Sequence, residues 1–360
     1  MASRRKGEPR ASSFDDKLAR IRALEGEPAV TATAELRRYL GEANGFLSGE
    51  AAKVAAAMEL SSLAPDVAEA LLRLLRAGTE ADKGCFGKRQ LVEALMAFDA
   101  STPEALLVGL RHVQKEPAYG GPIDTAATLR GLCAHALVQM HFRWAELEVA
   151  PLLMDPEPET RTAAAEALAA SGETSWAAAL HVKVLAGDAE PEVLGACYRG
   201  LLALDARRYL PLVAKVLGEG EAGGAGAESA AIALGESRLP EALEVLKEAL
   251  GKGSRGKGGG SGRGEGRGQG EGRGRGEESG RGGANLRLVE SVLLGVALLR
   301  SEEANAFLVT QVAEAHEAHA VAAVAALAMH RHDARLMVQV REVAEQRGSR
   351  RLREAVEEKL

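Results

Sequence analysis

A leucine returns along almost the whole chain, at Leu24, Leu60, Leu95, Leu137, Leu168, Leu201, Leu234, Leu298 and Leu327, mostly at intervals of 29 to 36 residues. Four residues earlier stands a small or apolar residue: Ala56, Leu91, Cys133, Ala164, Cys197, Ala230, Leu294 or Ala323. Only the first unit differs, with Arg20. A separation of four puts both side chains on one helix face. Twelve residues after the leucine come Leu36, Leu72, Leu107, Val149, Leu180, Val213 and Leu246, and only the last two units lack the position, with Thr310 and Gln339. Apolar stripes at fixed phase in successive helices describe a unit that cannot bury its own face and must stack on its neighbours. Hydrophobic residues make up 46% of the chain and aromatics 3%, so the stacked core must be mostly Ala, Leu and Val. No segment alternates with period two, so the expected fold is all-α with essentially no sheet.

Two polar positions keep the same period. Asp82, Asp124, Asp155 and Asp188 precede their leucines by 13 residues, and Lys17, Lys53, Lys88, Arg130 and Arg161 precede theirs by seven. Both appear in Asp155-Pro-Glu-Pro-Glu-Thr-Arg161, where Pro158 suits a first helical turn because its missing N–H is not needed there. This segment resembles a HEAT repeat of the phycobilisome-lyase subtype. Asp188-Ala-Glu-Pro-Glu-Val resembles it too, with Leu194 at the basic position. Arg111-His-Val-Gln-Lys-Glu-Pro and Asp124-Thr-Ala-Ala, followed by Leu129-Arg-Gly-Leu-Cys133, resemble uncharacterised bacterial HEAT-repeat proteins. The tetratricopeptide and ankyrin signatures are missing. The resemblance implies an α-solenoid of antiparallel helix pairs over residues 14–250 and 284–360. It also implies a structural role for the polar ladder, each Asp capping a turn and each Arg reaching a neighbouring carboxylate in a partly exposed pair.

The one interval of 64 residues contains a stretch, 251–283, with 17 Gly, 8 Lys or Arg, 4 Glu, 3 Ser and 1 Gln, and removing these 33 residues leaves an ordinary 31. With no apolar residue it cannot fold by burial, so it is expected to be a disordered insert in a helix–helix turn. Residues 1–13 are expected to be a disordered tail. Deleting the insert should leave the unfolding midpoint nearly unchanged, because loop length enters stability only at about 0.6 kcal/mol per doubling. A clear loss of helicity or stability in a urea titration of the deletion variant would contradict this.

The chain offers little for catalysis. Cys133 and Cys197 share one repeat position and should be packing residues. Cys85, in Asp82-Lys-Gly-Cys-Phe-Gly-Lys88, sits near an expected helix start beside Lys, a setting that lowers a thiol pKa, but no His or acid is placed to use it. His316 and His319, with Glu314 and Glu317 adjacent, form one His-x-x-His. The resemblance to HEAT-type deoxyhypusine hydroxylases would require several His-Glu dipeptides, and only His316-Glu317 occurs, so no metal or other cofactor is expected. A tetrapyrrole or phycobilin lyase activity is an alternative implied only by the repeat subtype. Nucleic-acid binding would rest on the Gly/Arg stretch, whose basic charge is diluted by Glu without interleaved aromatics, in a chain of net charge −6. Trp144 and Trp176 are expected to pack. The N-terminus lacks an apolar stretch typical of a signal peptide and no segment reaches about 18 uncharged apolar residues, so a cytoplasmic protein without a membrane span is expected.

The 42-residue interval before Leu137 holds about ten extra residues around Lys115-Glu-Pro-Ala-Tyr-Gly-Gly-Pro-Ile123. Insertions in solenoids concentrate on one edge and are often recognition elements. Arg111, His112, Glu116, Tyr119, Asp124 and Arg130 combine both charge signs with an aromatic and are the expected contacts for a protein partner. Truncating Tyr119 or Glu116 is expected to weaken that contact without disturbing the fold. The function read from the sequence is a non-enzymatic interaction scaffold.

Overall fold

The structure, a computed structural model, describes residues 13–219, 225–255 and 275–360. The tail, up to residue 12, and residues 256–274 of the insert lie outside them. The chain divides into two compact units, 1–171 and 172–360. Both are built from antiparallel helix pairs, so the fold is all-α and of the α-solenoid class.

The first unit opens with α1 (Phe14–Ala23), α2 (Ala29–Leu40), α3 (Gly45–Ala57), α4 (Ala64–Arg76) and α5 (Phe86–Ala97). It continues with α6 (Pro103–Leu110), a two-residue antiparallel ladder of β1 (Lys115–Glu116) and β2 (Ile123–Asp124), α7 (Ala127–Gln139), α8 (Ala145–Val149) and α9 (Pro158–Ala170). The odd-numbered helices α1 to α9 pack side by side in sequence, and α2, α4 and α6 line up against them. Ser13 starts α1 with a capping box closed by Asp16, and Pro158 opens α9 as expected. Small residues let the odd helices approach closely. A Cβ added to Gly87 would stand 1.9 Å from the Gly45 carbonyl oxygen, and one added to Gly131 would stand 2.6 Å from the Ala163 Cβ.

The second unit contains α10 (Ala177–Ala186), α11 (Pro191–Glu219), α12 (Ala225–Ser237), α13 (Pro240–Arg255) and α14 (Arg275–Leu298). It ends with α15 (Glu302–Glu314), α16 (Glu317–Leu327), α17 (Ala334–Arg347) and α18 (Arg350–Lys359). α11 is two helical runs joined at Asp205, whose backbone is extended at φ −155° and ψ 81°. α11, α12, α14, α16 and α18 pack in succession, with α12 and α14 touching through Gly235 and Gly295. Helical backbone runs to Arg255 and resumes at Arg275, so helix reaches into both ends of the expected insert.

The leucine ladder is buried at Leu24, Leu95, Leu137, Leu168, Leu201, Leu234 and Leu327 and slips at two places. Leu60 lies beyond the end of α3, and the buried pair four apart in that helix is Ala51 and Ala55. In α14 the buried pair is Leu293 and Ala297, while Leu294 is 39% exposed. In both helices an alanine takes the core position in place of the ladder leucine. The basic ladder slips with it: Lys53 is exposed, and the buried Ser48 hydroxyl faces the Leu40 and Glu42 carbonyls instead. Where Leu194 replaces the basic residue, the buried Lys183 ammonium pairs with Asp188 at 2.7 Å. Cys133 and Cys197 are core residues as expected, and burial pushes the Cys197 thiol up to about 12. Trp144 departs from the expectation: it is half exposed, with the Arg143 guanidinium over its ring.

Candidate partner-binding hairpin and the polar network beneath it

The long interval folds as a hairpin between α6 and α7, and its base rests on polar groups from α5 and the turn before it. Asp82 accepts the N–H groups of Gly87 and Lys88 at 2.8 and 2.9 Å, capping α5. The ammonium of Lys88, fully buried, donates to Gln114 Oε1 at 2.8 Å and lies 3.4 Å from Asp82. Gln114 Nε2 donates to the Asp82 carbonyl and to Glu116 Oε1 at 2.8 and 2.7 Å. The buried Gln114 amide therefore has both N–H groups and its oxygen occupied. Glu116 Oε1 also accepts from the Gly84 N–H and the Thr125 hydroxyl, each at 2.7 Å.

A second cluster secures the other strand. Asp124 accepts from the N–H groups of Gln114 and Ala126 at 3.0 Å each. Arg130 Nη1 donates to Asp124 and to the His112 carbonyl at 2.9 Å each. Its Nε and Nη2 form a two-pronged pair with Asp155 of the next repeat, both bonds 2.8 Å. Asp82 and Asp124 thus have the implied capping role and Arg130 the implied cross-repeat role, with one correction. The Arg130 side chain is 3% exposed, so the pair is buried rather than partly exposed.

Of the six residues expected to meet a partner, the structure divides the roles. Glu116, Asp124 and Arg130 hold the hairpin base, and His112 is half buried with its ring 3.4 Å from Gln114 Oε1. Glu116 therefore cannot be truncated without touching the fold, contrary to the sequence expectation. Arg111 is exposed and pairs with Glu148. Tyr119 stands fully exposed at the tip, next to Gly120 and Gly121, which take φ of +93° and +128°. Val113 and Ile123, 58% and 54% exposed, were missed by the repeat pattern because they lie outside it. Gln114 was missed because its Lys88 and Asp82 partners are 26 and 32 residues away.

Cys85 corrects another expectation. It adopts a left-handed backbone at φ 52°, and its sulfur sits buried 3.9 Å from the Thr125 hydroxyl. Burial pushes its thiol up to about 11 despite nearby Lys88, so desolvation outweighs the cation. Among the described residues no three metal-ligating side chains converge. The His316 ring accepts from the Ala318 N–H and sits 6.4 Å from the His319 ring, while Glu317 is bonded to Ser349. Among the described residues, no helix is long and apolar enough to cross a membrane.

The network contributes to the acid response, alongside His135 and His319, which burial also holds below their ordinary value. Burial holds the His112 imidazolium below its ordinary 6.5. Burial raises the Glu116 and Asp124 carboxyls, but their hydrogen bonds outweigh it and hold them below 4.5 and 3.8. In each case the unfolded chain binds more protons, so stability is lost as pH falls. The His112 contribution is complete above 6.5 and declines below it, and the carboxylate contribution declines further below 4.5. Urea midpoints measured from about pH 7 to pH 3 should drop in two stages, and His112→Asn should shrink the first. A flat midpoint between about pH 7 and pH 5 would contradict the assignment.

No family model and no curated protein matches the sequence. Among solved structures, the chain is similar to the complex of CpcE and CpcF of phycocyanin lyase from Nostoc sp. PCC7120, at 18% identity and TM-score 0.37, covering 78% of this chain and 94% of that chain. It is also similar to an engineered protein at 16% identity and TM-score 0.32, covering 97% of this chain and 95% of that chain.

Proposed function

We propose that the protein is a non-enzymatic scaffold of HEAT-like repeats that docks a protein partner on the hairpin at residues 111–126, with Tyr119 as the anchor. One contrast carries the reading. Of the four tyrosines, Tyr39, Tyr198 and Tyr209 are buried, and Tyr119 alone is fully exposed. An exposed aromatic is worth most to binding when its support is already ordered, because less conformational freedom is lost on contact. The hydrogen bonds of Gln114, Glu116, Asp124 and Arg130 supply that order. Val113 and Ile123 offer apolar area near the hairpin base, and Arg111 and Lys115 add exposed charge, the mixture found at recognition surfaces.

Capture from the native cell with wild-type protein and with Tyr119→Ala, followed by identification of bound proteins, tests this. A partner retained by the wild type and lost by the variant is the expected result. With that partner in hand, Tyr119→Ala should weaken binding by about 2 kcal/mol, with circular dichroism and the melting curve unchanged. A partner held equally by both proteins moves the contact off the hairpin.

A further inference from the structure

The second unit carries a groove of about 590 Å³ along α14, α16 and α18. Its floor is one face of α16, formed by Ala318, Val321, Ala322 and Ala325 at spacings of three and four. Three of the four carry only a methyl group, and residues of α14 and α18 line the groove on either side of them. Leu286 and Leu294 of α14 form one wall, and Leu294 is 39% exposed here rather than in the core its repeat position predicts. An exposed leucine beside an alanine floor gives the groove an apolar interior.

The rim is acidic. Among the described lining residues, Glu290, Glu317, Glu354 and Glu358 border the groove with one cation, Arg351, which pairs with Glu317 at 3.6 Å. Among the described residues Glu290 has no hydrogen-bond or ion-pair partner. Glu354 and Glu358 pair with Arg350 and Lys359 of their own helix, exposed contacts of little stability that leave both carboxylates able to bind another cation. Charge therefore selects a basic occupant and the floor selects an apolar one.

We propose that this groove binds an amphipathic helix of a partner protein whose polar face is rich in Lys or Arg. Apolar residues at i, i+3, i+4 and i+7 would seat on the alanine floor, where small side chains permit close approach of helix axes, and flanking cations would meet Glu290, Glu354 and Glu358. The basic stretch 251–283 of this chain is a poor candidate for the same place, because it contains no apolar residue to cover the floor. The proposal does not depend on the hairpin reading, and its test uses different residues.

The full-length protein is titrated, by fluorescence anisotropy, into two labelled helical peptides with the same leucine spacing, one with lysine and one with glutamate at the polar positions. The lysine peptide should bind at least about tenfold more tightly than the glutamate peptide, and added salt should narrow the difference. Ala325→Arg, at an exposed floor position, and the pair Glu290→Lys with Glu354→Lys should each weaken the lysine peptide by about tenfold or more while leaving circular dichroism unchanged. Equal binding of the two peptides, or a lysine-peptide affinity that neither variant moves, would overturn the proposal. So would a dimer in sedimentation velocity that Ala325→Arg breaks and the lysine peptide does not compete, which assigns the groove to a second copy of this chain.

Discussion

Arg130→Ala should cost about 3–5 kcal/mol of stability, measured by urea denaturation of the full chain near neutral pH. The guanidinium is 3% exposed and lies between Asp124 and Asp155, themselves 3% and 8% exposed. Its removal leaves two carboxylates without their cation, away from water, and frees the His112 carbonyl. The same change removes the buried link between the hairpin base and the next repeat, leaving the exposed pairs of Arg111 with Glu148 and Lys115 with Glu157, so the tip carrying Tyr119 should loosen as well. Arg130→Lys should recover only part of the loss, because an ammonium cannot reproduce the two-pronged bond to Asp155. The Arg130→Ala deficit should shrink as pH falls, since protonation relieves the stranded carboxylates. A loss below about 1 kcal/mol, the range of exposed pairs, would show that water reaches both acids and that the hairpin base is not held as described.

Gly87→Ala should destabilise by about 2–3 kcal/mol through overpacking. The new Cβ would meet the Gly45 carbonyl oxygen at 1.9 Å and the Gly45 carbonyl carbon at 2.4 Å, and backbone cannot swing aside as a side chain can. α3 and α5 would have to separate, which also disturbs Asp82, whose carboxylate caps α5 through the Gly87 N–H. Gly78→Ala is the matched control, because a Cβ there meets nothing within 4 Å and no positive φ is involved. Comparable stability of the two variants in parallel denaturant titrations would show that the helix crossing tolerates a wider spacing.

The leucine period was legible because it is a local pattern. Residues three or four apart share a helix face whatever surrounds them, so Leu91 with Leu95, Cys133 with Leu137, and Ala164 with Leu168 declare a buried stripe by themselves. The pattern misled where alanine and leucine compete for the core. In α3 the helix ends before Leu60 and Ala55 takes the core, and in α14 Ala297 rather than Leu298 is buried; where a helix stops and which of two adjacent residues turns inward are not stated by the period. Cys85 misled for a related reason. Its lysine neighbour was visible along the chain, but the burial that outweighs it comes from the hairpin folding back over the start of α5.

The sequence by itself determined the all-α repeat architecture, the recurring aspartates, the two core cysteines and the presence of an extra loop before α7. Only the tertiary structure decided what that loop does. Glu116 reads in sequence as a surface charge beside an aromatic, and Asp124 and Arg130 read both as ladder positions and as partner contacts. Folding turns them into the support of the hairpin and leaves Tyr119 outside. The acidic groove of the second unit is likewise assembled from three helices whose lining residues run from 286 to 358. Helical periodicity constrains neighbours within one or two turns. Which polar group meets which across 25 residues or more, as Arg130 meets Asp155, is settled only when desolvation leaves each buried donor and acceptor a single satisfactory partner.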